Sequence, residues 1–180
     1  DTGIKEKLLK GSSLGGKSFK VHLDGYNQLP LLLGQTEKSA RNEFYYFNDD
    51  AELVAMRYDV LGAGATTPTA WKIVFCEQRS PGSIQIWFEP FTCLRGPKYF
   101  NLRMDPYERA DMGPTNGYHQ LQTENPYLLI EANRRAAVFL QTFVEYPPSQ
   151  IPASFTIDQI VEDVKAKVKA TVQKQQQQKK

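Results

Sequence analysis

Two histidines and two cysteines in 180 residues leave little material for a metal centre. The cysteines, Cys76 and Cys93, show no Cys-x-x-Cys spacing and have too few histidines near them to complete a zinc set. They read as two inert thiols or as one disulfide. Net charge is also scarce: 22 Lys and Arg stand against 20 Asp and Glu, giving +2, and three of the lysines lie in the last seven residues. Without that end the chain is near neutral, so charge offers no case for a nucleic-acid groove or a membrane surface. No apolar run approaches the roughly 18 residues that a membrane-spanning helix needs. The chain opens at Asp1, without Met and without a signal-peptide pattern, in charged helical text, and the expectation is that a segment precedes it.

What is present is a core. With 41% apolar residues and 12% aromatics, a chain of this length can bury one domain. Ile4, Leu8 and Leu9 share one face of a short helix that Gly11 ends, and residues 11–17 read as a flexible Gly/Ser connector. Phe19, Val21 and Leu23 alternate with polar residues up to the Asp24-Gly25 turn, which predicts a strand. Residues 29–34, Leu-Pro-Leu-Leu-Leu-Gly, form a compact apolar anchor. Further strands are expected at 44–47, 53–58, 71–75, 84–88 and 98–102, with a hairpin turn at Asn48-Asp49-Asp50. A helix starts near Pro126 and stops before Pro147, burying Leu129, Ala132, Ala136, Phe139, Leu140 and Phe143. A second begins with a capping box at Thr156 and Gln159, stapled by Phe155 and Ile160, with Ile157, Val161, Val164 and Val168 on its apolar face. The fold class that follows is α+β: a small antiparallel sheet of about four strands packed by C-terminal helices. The expected organisation is a leading helix and connector over 1–18, one domain over 19–173, and a disordered Gln/Lys tail over 174–180.

Several groups invite a sharper reading. His22 and Asp24, two apart on an alternating strand, share a face and suit an oriented base or a metal ligand; a solvent-facing pair beside a turn explains them without chemistry. His119 has no acidic neighbour within four residues. Asp49, Asp50 and Glu52 offer oxygen ligands for calcium, yet lack the acidic alternation of an EF-hand, and a turn needs such residues for backbone reasons. Glu77, Glu89, Asp105 and Glu108 contain enough carboxylates for a glycosidase pair, but nothing fixes their separation; Asp105-Pro106 reads as a turn and Glu108 as a surface or capping partner. Tyr45, Tyr46, Phe47, Trp71, Trp87 and Phe88, with Arg57 and Lys72, suit either a stacking platform or a sheet core, and core is the commoner use.

Three stretches, in order, resemble the C-terminal region of bacterial arylsulfatases. The first is Leu23-Asp24-Gly25 with residues 29–34, similar to the segment that leads out of the sulfatase catalytic domain. The second is 41–47 with 54–58 and 71–75, similar to the family's tail sheet. The third is Tyr99-Phe100-Asn101-Leu102, then Asp105-Pro106 and Glu108, similar to the signature that closes that sheet. The likeness is strongest from Phe19 to Asp111 and returns over 139–155. Two stretches depart from it: 61–70, expected as an exposed mobile loop, and 113–125.

The resemblance implies a four-stranded antiparallel sheet with a packed C-terminal helix, docked on a larger α/β domain that holds calcium and a formylglycine nucleophile. That nucleophile arises within Cys/Ser-x-Pro/Ala-x-Arg. Cys76 is followed by Gln78 and Ser80 at the relevant positions, Cys93 by Arg95 and Pro97, and no serine fits. The expectation is therefore a non-catalytic subdomain of a sulfuric ester hydrolase, with no catalytic, cofactor-binding or metal-binding residue and no cofactor of its own. Calcium and formylglycine would belong upstream. Its expected partner is the upstream sulfatase catalytic domain, with self-association through an exposed apolar face and no nucleic acid or membrane. The alternative is a stand-alone interaction module derived from a sulfatase tail. A complete small hydrolase, built from His22, Asp24 and scattered carboxylates, lacks an activated nucleophile.

Overall fold

The computed structural model describes residues 3–62, 65–80, 82–113 and 116–147, and positions 164, 165, 167 and 168. Helix α1 (Ile4–Lys10) ends at Gly11, whose φ of 99° is open to glycine, and it buries Leu8. The expected connector is instead a hairpin of β1 (Ser12–Leu14) and β2 (Lys17–Phe19). Gly15 and Gly16, at φ 56° and 76°, supply the two left-handed positions of a two-residue turn. The expected strand at 19–23 shrinks accordingly: β2 stops at Phe19, and 20–28 run without strand pairing. Leu29–Leu32 forms one helical turn, α2, with Pro30 in its first turn.

The main sheet has the order β3-β4-β5-β6, all antiparallel, with β3 Glu43–Phe47, β4 Leu53–Val60, β5 Thr69–Gln78 and β6 Phe91–Asn101. Its register lines up Tyr45, Met56, Ile73 and Tyr99 in one row, with Tyr58 opposite Trp71. On the other face Phe44, Arg57, Lys72 and Phe100 form the matching row. The β3–β4 turn is pinned by Asn48, whose Oδ1 accepts the Glu52 amide at 2.8 Å and whose Nδ2 donates to Glu52 Oε2 at 2.9 Å. Residues 61–62 and 65–68 are an exposed loop, while Thr69 and Ala70 already belong to β5. The expected strand at 84–88 is a 3-10 helix (Ser83–Trp87) within the β5–β6 connection, and Cys76 and Cys93, paired across the two strands, are disulfide-bonded.

Helix α3 (Asn116–Glu124) seals part of the sheet's edge: the Tyr99 amide donates to the Tyr118 hydroxyl at 3.0 Å, and Gln122 Nε2 donates to the Pro97 carbonyl at 3.0 Å. Helix α4 (Pro126–Glu145) lies on the Tyr45/Met56/Ile73 face. Its contact stripe is Leu128, Ala132 and Ala136, at four-residue spacing, and the small alanines let the helix approach the sheet. The expected stripe was turned too far: Leu129 is only partly buried and Leu140 is exposed, whereas Leu128 is fully enclosed. The Tyr58 hydroxyl donates to the Leu128 carbonyl, tying sheet to helix in the core. The capping box at Thr156 and Gln159 and the 174–180 tail lie outside the described residues.

Candidate functional site

The best-formed concavity, a cleft of about 500 Å³, opens between the 22–26 segment, the outer strand β3 and the second half of α4. Its floor is aromatic because β3 alternates Phe44, Tyr45, Tyr46 and Phe47, so both sides of an edge strand carry rings. Tyr45 stacks on Phe139 of α4 with centroids 4.0 Å apart and planes 8° from parallel, and Phe143 meets Phe139 edge-on at 5.3 Å. The Tyr45 hydroxyl donates towards Glu43 Oε1 at 3.0 Å and the Arg135 carbonyl at 3.3 Å. Burial, then the Glu43 carboxylate, push its ionisation well above the usual range.

An ion network fixes α4 to β3. Arg135 donates from Nη1 to Glu43 Oε2 at 2.9 Å and from Nε to Glu131 Oε1 at 2.6 Å, with its guanidinium 5.2 Å from the Tyr58 ring centroid. Arg134 grips Glu131 through two bonds of 2.8 and 2.9 Å. The bonds from Arg134, with the one from Arg135, hold the Glu131 carboxyl at about 2, below its usual 4.5. A depressed folded-state value means that this stabilisation is complete above about pH 4.5 and is lost as pH falls towards 2. Arg134 is 62% exposed, so solvent screens part of it. Glu131→Gln is therefore expected to lose less stability than the parent between pH 5 and pH 2.5, measured by urea unfolding at both values; equal losses would refute the assignment.

Of the residues singled out from sequence, His22 and Asp24 reach the cleft rim, with Nδ1 and Oδ1 2.9 Å apart and the His22 ring 5.8 Å from that of Tyr146. His119 lies on α3, its Nδ1 3.4 Å from Gln122 Oε1. Of the other carboxylates, Glu77, Glu108 and Asp105 are each held by protein partners. Glu77 and Asp111 share Lys98, and the Lys98 bond lowers Glu77. Burial works against the Lys98 ammonium, but Asp111 and Glu77 outweigh it and hold its proton on. Glu108 receives Lys72 Nζ on both oxygens at 2.8 Å, and Asp105 accepts the Arg109 and Ala110 amides at 2.9 and 2.8 Å. Asp49 and Asp50 sit in the hairpin turn. Among the described residues no group of three or more His, Cys, Asp or Glu is placed to hold a metal.

The aromatic set divides. Trp71 is core and Tyr45 lines the cleft, but Trp87 and Phe88 stand out on the 3-10 segment, 59% and 77% exposed. Sequence reading missed Lys5, Tyr26 and Arg41 as site residues, because they meet only through the chain's return from α1 to β3. Arg41 Nη2 donates to the Asp24 carbonyl at 2.8 Å, and its guanidinium lies 5.3 Å from the Tyr26 ring centroid and 5.6 Å from that of Phe44. No protein-family model matches this chain, and no curated protein matches it.

Proposed function

We propose that this chain is the C-terminal subdomain of an arylsulfatase-like sulfuric ester hydrolase, a non-catalytic support for an upstream α/β domain that would carry calcium and formylglycine. The observation that carries the reading is α2. In the stretch that resembles the exit from the sulfatase catalytic domain, Leu29, Leu32 and Leu33 are 56%, 79% and 60% exposed. Three leucines on one turn, each more than half exposed in a sheet domain that has its own core, suit a surface that a neighbouring domain buries. The order of the three resembling stretches, the second and third of which contribute to the four-stranded sheet, agrees with this reading.

The test is reconstitution. An arylsulfatase catalytic domain stripped of its own C-terminal region is mixed with this chain, and hydrolysis of a chromogenic aryl sulfate is followed. Activity should rise on mixing, and the double variant Leu32→Glu, Leu33→Glu, with unchanged circular dichroism, should abolish the rise. Turnover by this chain alone, or equal rescue by the variant, would overturn the proposal. A second reading, a free-standing interaction module, draws on α3, which packs Tyr118 against the sheet in the stretch that departs from the family. A monomer in size-exclusion chromatography that never engages the catalytic domain would favour it.

A further inference from the structure

Among the described residues, the cleft beside β3 holds two cations that no carboxylate answers. Four cations, Lys5, Arg41, Arg134 and Arg135, line it against two carboxylates, Asp24 and Glu43. Arg134 and Arg135 are engaged by Glu131 and Glu43, and Asp24 by His22. Lys5 and Arg41 form no ion pair among the described residues. Instead both lean on one ring: Lys5 Nζ and the Arg41 guanidinium each lie 5.3 Å from the Tyr26 centroid. The Asp24 carbonyl takes one of Arg41's five N–H donors, leaving a planar fork for a planar acid. Around that fork the wall is apolar, and Tyr26, Phe44 and Val138 remain 43%, 41% and 57% exposed.

We propose that this cleft binds a small aromatic carboxylate, its acid group on Arg41 with Lys5 beside it and its ring against Tyr26 and Phe44. A cleft of about 500 Å³ matches the size range of small-molecule sites, and a few placed polar groups in an apolar wall are their usual make-up. The carboxylate gains a charge-assisted pair at a cation that, among the described residues, has no counter-ion to give up. The ring covers aromatic surface that water now touches. None of this rests on the sulfatase reading, since the site uses neither a catalytic motif nor the α2 surface.

The test is titration of the isotope-labelled full chain with phenylacetate at low ionic strength, followed by amide chemical shifts. Saturable shifts are expected at Lys5, Tyr26, Arg41 and Phe44. Arg41→Gln should weaken binding about tenfold or more, and Lys5→Gln several-fold, as removal of a charge-assisted bond does. Phenethylamine, with the same ring and the opposite charge, should not saturate. Should Arg41→Gln disturb the fold, Lys5→Gln and the amine still decide the matter. Equal responses to acid and amine, undiminished binding by both variants, or shifts that fall outside the cleft would overturn the proposal.

Discussion

Leu128→Ala is expected to lower the unfolding free energy by about 2–5 kcal/mol, the range seen when a fully enclosed leucine is cut back to a methyl group. Leu128 has no exposed surface and joins Met56, Tyr58, Trp71, Ile73 and Tyr99 in the buried cluster that links α4 to the sheet. Its own carbonyl receives the Tyr58 hydroxyl, so the backbone beside it is held and cannot easily shift to refill the space. Ile130, two residues on and 71% exposed, is the control: Ile130→Ala should change stability by no more than about 0.5 kcal/mol. Urea unfolding of the two variants beside the parent checks both statements. Equal losses at the two positions would mean that α4 is rotated from the orientation described.

Removing the Cys76–Cys93 disulfide is expected to destabilise the chain by about 2–4 kcal/mol, because a cross-link over a separation of 17 residues withdraws that much loop-closure entropy from the unfolded chain. The native sheet should persist, since seven residue pairs join β5 to β6 through the backbone. The measurable signature is twofold. The double variant Cys76→Ala, Cys93→Ala should unfold at lower urea, and its transition should steepen as the freed unfolded chain exposes more surface. Reduction of the parent should reproduce the variant's midpoint. A variant as stable as the oxidised parent would show that the bond adds nothing to β5–β6 pairing.

The sequence was most legible where composition and punctuation agreed. The runs rich in aromatic and β-branched residues over 44–47, 53–58 and 71–75 placed three strands of the main sheet, and Asn48 with Asp49 and Asp50 marked the hairpin between the first two. Pro126 and Pro147 bracketed α4. The failures have physical causes. A short apolar run has no period to read, so 84–88 passed for a strand; Gly82 at φ 114° and Ser83 at φ 64° turn the backbone into a 3-10 helix there. The first half of β6 was hidden by Gly96 and Pro97, which a central strand would not tolerate but an outer one does. Gly15-Gly16 looked like slack chain and is a turn. On α4, Leu128 and Leu129 sit about 100° apart, and only the approach of the sheet selects between them.

The cleft was the least legible part. Arg41 and Tyr26 are ordinary residues in sequence, and their neighbourhood with Lys5 exists only once α1 and β3 are brought together. The Arg135–Glu43 pair was likewise silent, since it joins a helix to a strand, whereas Glu131 lies three and four residues before Arg134 and Arg135, a spacing that sequence can show.

The two tryptophans sit in opposite settings, Trp71 in the core at 8% exposure and Trp87 on the disulfide-closed connection at 59%. The chain thus carries two tryptophan fluorophores, one seen by an aqueous quencher such as iodide and one shielded from it. Loss of Trp71 protection marks global melting, whereas shielding of Trp87 alone marks something settling on the 84–88 segment. Steady-state quenching with no added label therefore separates folding from docking in a single cuvette.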